Sequence, residues 1–231
     1  MEYWNLYRYV KNITEILGVK MKSENNVKSN FNHLWDEQTD VSTLGQLLFK
    51  IDRKKIFGFL KYADINKKSR IVDVGCGTGS TLKILRKLGY KNAIGIDVAE
   101  SSMILCKRKR FKRNKDVFKV DVTSAPKRLK KKFDLVFTEG SIEHYKNIQP
   151  MVNSICNLSK RYVLTTMPDM NSFYWQIAPM IYKVMGRKRV DDYNHSEQKY
   201  VKAFKKSGFK LIKKSKFLLQ GGWIMLFERV K

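Results

Sequence analysis

Apolar residues near the start of the chain recur at three- and four-residue intervals, at Trp4, Tyr7, Val10, Ile13 and Leu17. That period predicts an amphipathic helix over 3–17. Residues 20–30 are polar and rich in Asn, Lys and Ser, which reads as a linker. Leu44, Leu47, Leu48, Ile51 and Phe59 then restore the helical period, and this second helix ends before Asn66. From residue 70 short apolar runs alternate with helical stretches, the order of a parallel sheet covered by helices. The strand candidates are Ile71–Val74, Ala93–Ile96, Val117–Val120, Phe133–Phe137 and Tyr162–Thr165. Helices are predicted over Ser80–Leu88, Glu100–Lys109 and Asn147–Asn157, with Gly89 as a helix stop. Phe209–Leu219 and Trp223–Val230 read as two last strands, and the glycine turn near Gly221-Gly222 predicts that they pair antiparallel.

One segment carries chemistry as well as pattern. In Val72-Asp73-Val74-Gly75-Cys76-Gly77-Thr78-Gly79-Ser80 an apolar strand runs into three glycines at alternate positions and then into a helix. Glycine permits the tight turn and lets a ligand approach the backbone, and the helix start offers unpaired N–H groups to an anion. The next strand ends in Asp97, eighteen positions beyond Gly79. That is close to the ~20-residue offset of a carboxylate that takes ribose hydroxyls. A dinucleotide-binding protein gives a similar signal, although it usually needs glycine where this chain has Ser80.

With Asp73 two positions before the first glycine, Asp-Val-Gly-Cys-Gly-Thr-Gly resembles the first motif of class I S-adenosylmethionine-dependent methyltransferases. The third strand ends in Val120-Asp121-Val122, similar to the family's adenine-binding acid. After Phe133-Asp134-Leu135-Val136-Phe137 come Glu139 and Ser141-Ile142-Glu143-His144-Tyr145, which resemble the Glu-His stretch of small-molecule members. Ser207-Gly208-Phe209 is similar to the family's entry into strand six, so the likeness runs over roughly 70–230.

The resemblance implies an α/β fold: a Rossmann-like three-layer sandwich with a mostly parallel seven-stranded sheet, an antiparallel last strand and an N-terminal helical cap. Residues 1–43 would form that cap or lid, and 44–231 the main domain, with a substrate-cover insertion at about 169–195. It also implies S-adenosylmethionine as cofactor and no metal. Asp73 and the backbone of Gly75, Cys76, Gly77 and Gly79 would hold the methionine end. Asp97 would bind the ribose, Asp121 the adenine amino group, and Val98 and Val122 the adenine faces, with Glu139 nearby. Each aspartate also reads as a cap or turn residue, and Asp121-Val122-Thr123-Ser124 is itself a helix-start pattern.

Methyl transfer from a sulfonium asks the protein to align the acceptor and exclude water, and a base is needed only where the acceptor must lose a proton. His144, after the fourth strand, is the first candidate for that base, with a helix cap or packing role as the alternative. His195 is the second candidate, and its plainer reading is a helix-entry residue. His33 falls in the N-terminal region beside Phe31 and Trp35. Residues 173–182 form an aromatic, apolar insertion that ends in Arg187-Lys188-Arg189, which suits an amphiphile bearing phosphate or carboxylate. Trp35, Tyr174, Arg187 and Arg189 are the substrate-binding candidates, and a cap helix with its basic end in water is the plainer reading.

Composition narrows the classes. There are 47 Lys+Arg against 21 Asp+Glu in 231 residues, a formal net charge of +26, which attracts an anionic membrane surface or nucleic acid. Solvation of a lysine-rich surface is the alternative. Most basic clusters lead into strands, which predicts that they lie at the sheet end opposite the ligand: Lys67–Arg70, Lys107–Lys115, Lys127–Lys132, Lys160-Arg161 and Lys205-Lys206. There is no apolar run long enough for a membrane span and no signal-peptide pattern at the N-terminus. Cys76, Cys106 and Cys156 lack CxxC spacing, so neither a zinc site nor a disulfide framework is expected. The expectation is a cytoplasmic methyltransferase, in reach of a membrane surface, that methylates a small or lipid-like molecule at oxygen. An RNA or other nucleic-acid methyltransferase is the rival, and a non-enzymatic interaction subunit the third reading.

Overall fold

A computed structural model describes residues 43–124, 129–184, 193–217 and 221–230. The helix expected over 3–17, the linker, Trp35, Arg187 and Arg189 lie outside the described residues. Helix α1 (Thr43–Gly58) runs into a 3-10 turn at Phe59–Tyr62. Then follow β1 (Ile71–Val74), α2 (Ser80–Lys87), β2 (Ala93–Asp97), α3 (Glu100–Arg108), β3 (Val117–Lys119) and β4 (Phe133–Thr138). The chain continues through α4 (Ile148–Leu158), β5 (Ser159–Pro168), α5 (Phe173–Val184), α6 (Glu197–Lys206), β6 (Phe209–Lys216) and β7 (Gly222–Arg229).

The seven strands form one sheet in the order β3-β2-β1-β4-β5-β7-β6. All neighbours from β3 to β5 pair parallel, and β7 pairs antiparallel with both β5 and β6. The last strand therefore inserts between β5 and β6. The parallel strands are apolar because helices cover both faces; all four residues of β1 are buried. One core layer packs α1, α2 and α3 on the sheet through Ile56, Leu82, Leu85 and Met103. The other packs α4 and α6 through Met151, Val152, Ile155 and Phe204. Helix α2 stops where expected: Tyr90 N–H donates to Leu85 O at 3.0 Å and Gly89 N–H to Arg86 O at 3.0 Å.

This topology fixes where a ligand goes. Strand order reverses between β1 and β4, and in open α/β sheets the crevice outside the strand carboxyl ends at that reversal is the binding site. The glycine loop, the end of β2 and the end of β4 all converge there.

Phe204 of α6 stacks on Phe227 of β7 with ring centroids 4.0 Å apart, and both are fully buried. Their contact holds the inserted strand against its helix. Phe204→Ala should lower unfolding stability by about 3–5 kcal/mol, read as a lower midpoint in urea with an unchanged slope.

Candidate active site

The glycine loop is an extension of the sheet. The N–H groups of Gly75 and Cys76 both donate to Ile96 O, at 2.9 and 3.1 Å, and Gly79 N–H closes a turn onto Cys76 O at 2.8 Å. Gly75 has φ 71°, and a side chain there would overlap the Ser141 hydroxyl. Gly79 has φ 72°, and a Cβ there would come within 3.0 Å of both Cys106 Sγ and the Phe111 ring. Glycine at these two positions is thus required by conformation and by space.

Asp97, 8% exposed, joins β2 to the loop. Its Oδ2 accepts from Gly77 N–H at 2.8 Å and its Oδ1 from Ala99 N–H at 2.9 Å. Each oxygen keeps acceptor capacity for a ligand hydroxyl. Val98 stands 58% exposed beside it, at the mouth of the crevice.

Asp73, on β1 just before the loop, is 2% exposed, and its Oδ2 has no hydrogen-bond partner among the described residues. Burial pushes its carboxyl well above the usual carboxylate range, the neighbouring Glu139 adds to the rise, and Arg53 opposes it. Glu139 accepts from the Thr81 hydroxyl at 3.2 Å and lies 3.8 Å from the Arg53 guanidinium. Arg53 Nε is buried and likewise lacks a hydrogen-bond partner among the described residues. The crevice thus contains a buried acid with an idle oxygen and a guanidinium with an idle donor, electrostatic neighbours of each other.

Asp121 and Val122 are placed differently. Asp121 is exposed, and its Oδ1 accepts from both the N–H and the hydroxyl of Thr123, at 2.8 and 2.7 Å. It thus caps the 3-10 turn Val122–Ser124. Val122 is 7% exposed and belongs to the core layer under α4.

The 3-10 turn Ile142–His144 follows β4 and leaves His144 half-buried. His195 packs against the residue that follows His144. Its Nε2 lies 2.9 Å from Tyr145 O and its Nδ1 3.0 Å from Lys199 Nζ. An ammonium can only donate, so Nδ1 accepts and the Nε2–H donates to the carbonyl. Burial and then the Lys199 charge hold this imidazole below its ordinary range, while the bond to Tyr145 O works against them. His195, buried at 7% exposure, thus acts as a neutral strut behind the His144 segment. Tyr193 N–H adds a bond to Glu143 O at 2.9 Å. Tyr174 is half-buried on α5, edge to face with Trp175, whose Nε1–H donates to Gly221 O at 2.8 Å. This bond anchors α5 at the carboxyl end of the sheet, on the same side as the glycine loop.

Arg53 carries no local sequence signal, since it sits in the Asp52-Arg53-Lys54-Lys55 stretch of a helix defined only by its leucines. Ser141, which donates to Val74 O at 3.3 Å and floors Gly75, was equally hidden. Lys109 corrects the expected placement of its cluster: its Nζ donates to the Thr78 and Ser80 hydroxyls, at 2.8 and 2.7 Å. It belongs to the glycine loop, not to the far end of the sheet.

The methyltransferase domain family matches residues 48–214, and the chain belongs to it, within the class I S-adenosylmethionine-dependent methyltransferases. Among similar proteins, N-methyltransferase 4 of Papaver somniferum is 36% identical over 104 residues, 42% of this chain and 29% of that protein. The ubiquinone biosynthesis O-methyltransferase of Pelagibacter ubique is 24% identical over 143 residues, 59% of this chain. The chain spans 57% of the length of this second relative. Magnesium protoporphyrin IX methyltransferase from Synechocystis, solved with bound S-adenosylhomocysteine, shares the fold with a TM-score of 0.63. That pair is 17% identical, over 82% of this chain and 89% of the other.

Because the folded state favours protonated Asp73, it binds a proton that the unfolded chain has already released. The sign follows: Asp73 lowers stability as pH rises from the ordinary carboxylate range through its raised value. Asp73→Asn should therefore raise the thermal midpoint at neutral pH. It should also weaken S-adenosylhomocysteine binding at least about tenfold, because an amide, unlike the acid, cannot give up a proton to pair with the ligand's amino group. Thermal scans with and without ligand check both signs.

Proposed function

We propose that the chain transfers the methyl group of S-adenosylmethionine to an oxygen of a small or lipid-like amphiphile. The observation that carries this reading is the pairing of an aromatic helix with a histidine at one end of the sheet. α5 begins Phe173-Tyr174-Trp175, with Phe173 69% exposed, and follows β5 directly, while His144 follows β4. An aromatic, apolar helix and a histidine at the same end of the sheet suit an acceptor with a hydrophobic body and an ionisable hydroxyl. The names of two similar proteins, a ubiquinone biosynthesis O-methyltransferase and a magnesium protoporphyrin IX methyltransferase, agree with such an acceptor.

The cofactor supplies an electrophilic methyl on a sulfonium. Asp73 and Arg53 suit its amino and carboxylate groups, Asp97 its ribose, and exposed Val98 the flank of its base. His144 takes the acceptor's proton as the oxygen–carbon bond forms and the carbon–sulfur bond breaks. His195 keeps the His144-Tyr145 segment in place through the Tyr145 carbonyl. Trp35, Arg187 and Arg189 remain candidates for the substrate cover.

Methyl transfer from labelled S-adenosylmethionine to a panel of phenolic and carboxylic amphiphiles tests the reading. On an accepted substrate His144→Asn should lower kcat by about 10²–10⁴ while S-adenosylhomocysteine binds as before. Transfer to a nitrogen, or to RNA alone, would overturn the assignment, as would an unchanged kcat in the variant.

A further inference from the structure

The positive charge of this protein is not evenly balanced. A groove of about 910 Å³ at the amino-terminal edge of β1, β4 and β5 is lined by Lys68 and Arg229 and by three cations that have acidic partners. There Arg161 pairs with Asp64 at 2.7 Å and Glu228 at 3.1 Å, and Lys160 with Asp134 at 3.8 Å. The last turn of α3 and the segment after it are different. Lys107, Arg108, Arg110 and Lys112 are all exposed, and no acidic side chain among the described residues lies within ion-pair distance of any of them, whereas Lys115 offsets the charge of Asp116.

The main chain that carries these cations is fixed by its own hydrogen bonds. Arg110, in the left-handed region at φ 68°, reverses the chain, with Arg110 N–H on Lys107 O at 2.9 Å and Phe111 N–H on Cys106 O at 3.0 Å. Asp116 accepts from Lys112 N–H at 2.8 Å and is fixed in turn by Arg86 at 2.9 Å. Arg113 reaches back to pair with Glu100 at the start of α3. The result is a groove of about 520 Å³ in which the paired Glu100 and Arg113 form one wall, Met103, Ile104 and Phe111 the apolar part, and Lys107, Arg110 and Lys112 the remaining cations. Ile104 is 53% exposed beside these cations.

We propose that this groove docks the protein on an anionic phospholipid bilayer, with lipid phosphates on the cations and acyl carbon on Ile104 and the edge of Phe111. An exposed aliphatic side chain set among unpaired cations is what an interfacial site needs, since each cation near an anionic leaflet and each buried methylene adds to binding. A nucleic acid would use the cations but draw nothing from Ile104. The other face of the same segment touches the glycine loop, through Lys109 on Thr78 and Ser80 and through Phe111 beside Gly79. Docking at the groove therefore brings the cofactor crevice close to the lipid surface.

Cosedimentation of the full chain with phosphatidylcholine vesicles, with and without phosphatidylglycerol, tests the proposal. It requires no methyl acceptor, so its outcome is independent of the proposed reaction. The wild type should bind only the anionic vesicles. Lys107→Glu with Lys112→Glu should weaken that binding at least about tenfold, and Ile104→Ser about three- to tenfold. As a control of equal net charge, Lys160→Glu with Lys210→Glu, in the groove of paired cations, should change binding less than about twofold. Thermal stabilisation by S-adenosylhomocysteine verifies that every variant is folded. Equal losses in the two double variants would show a non-specific field and overturn the groove assignment. So would undiminished binding of Ile104→Ser, binding to neutral vesicles, or binding to labelled single-stranded RNA without binding to anionic vesicles.

Discussion

The carboxylate of Asp97 ties two strands and a loop into one unit. By accepting from Gly77 N–H and Ala99 N–H it holds the glycine loop of β1 against the end of β2, where the loop already spends its Gly75 and Cys76 donors on Ile96 O. The parallel register of β1 on β2, with Val74 opposite Ile96, sets that alignment. The rest of the crevice is positioned from there. Ser141 packs under Gly75 from the β4 side, and Phe111 and Cys106 pack under Gly79 from the α3 side, with Asp73 buried on β1 just before the loop. A loop gripped from three sides is preorganised, so little ordering remains for a ligand to impose.

The same crevice stores a cost. Asp73 is buried with Glu139 nearby and only Arg53 to offset them, and it leaves an oxygen without a partner among the described residues. A stability optimum would place an amide or an apolar side chain at this position. Its retention as an acid makes sense where a cation is to be bound, the usual conflict between a binding site and the fold that carries it.

Much of this was legible in the sequence, and the failures share a cause. Strand β1, the glycine loop and Asp97 were readable because their spacing is local: a strand, a turn and a helix within ten residues, and an acid closing the next strand. The antiparallel final pair was readable too, but not that β7 slips between β5 and β6, since pairing order across a sheet leaves no periodic trace. Arg53 and Ser141 were missed because their roles exist only when α1 and the β4 loop are folded over the crevice. The charge pattern misled at Lys107–Lys115, where the left-handed turn at Arg110 carries Lys109 and Phe111 back onto the glycine loop. Asp121 fits its plainer reading in one respect, as the acceptor for Thr123.

Because Asp97 both fastens the loop and faces the crevice, it carries the central claim that this fold is a working S-adenosylmethionine site. Calorimetric titration with S-adenosylhomocysteine, on the wild type and on Asp97→Ala, tests that claim most directly. Saturable one-to-one binding by the wild type is expected, with at least about a tenfold loss in a variant that still unfolds cooperatively. Undiminished binding by a folded Asp97→Ala would contradict it, as would a wild type that takes up no ligand.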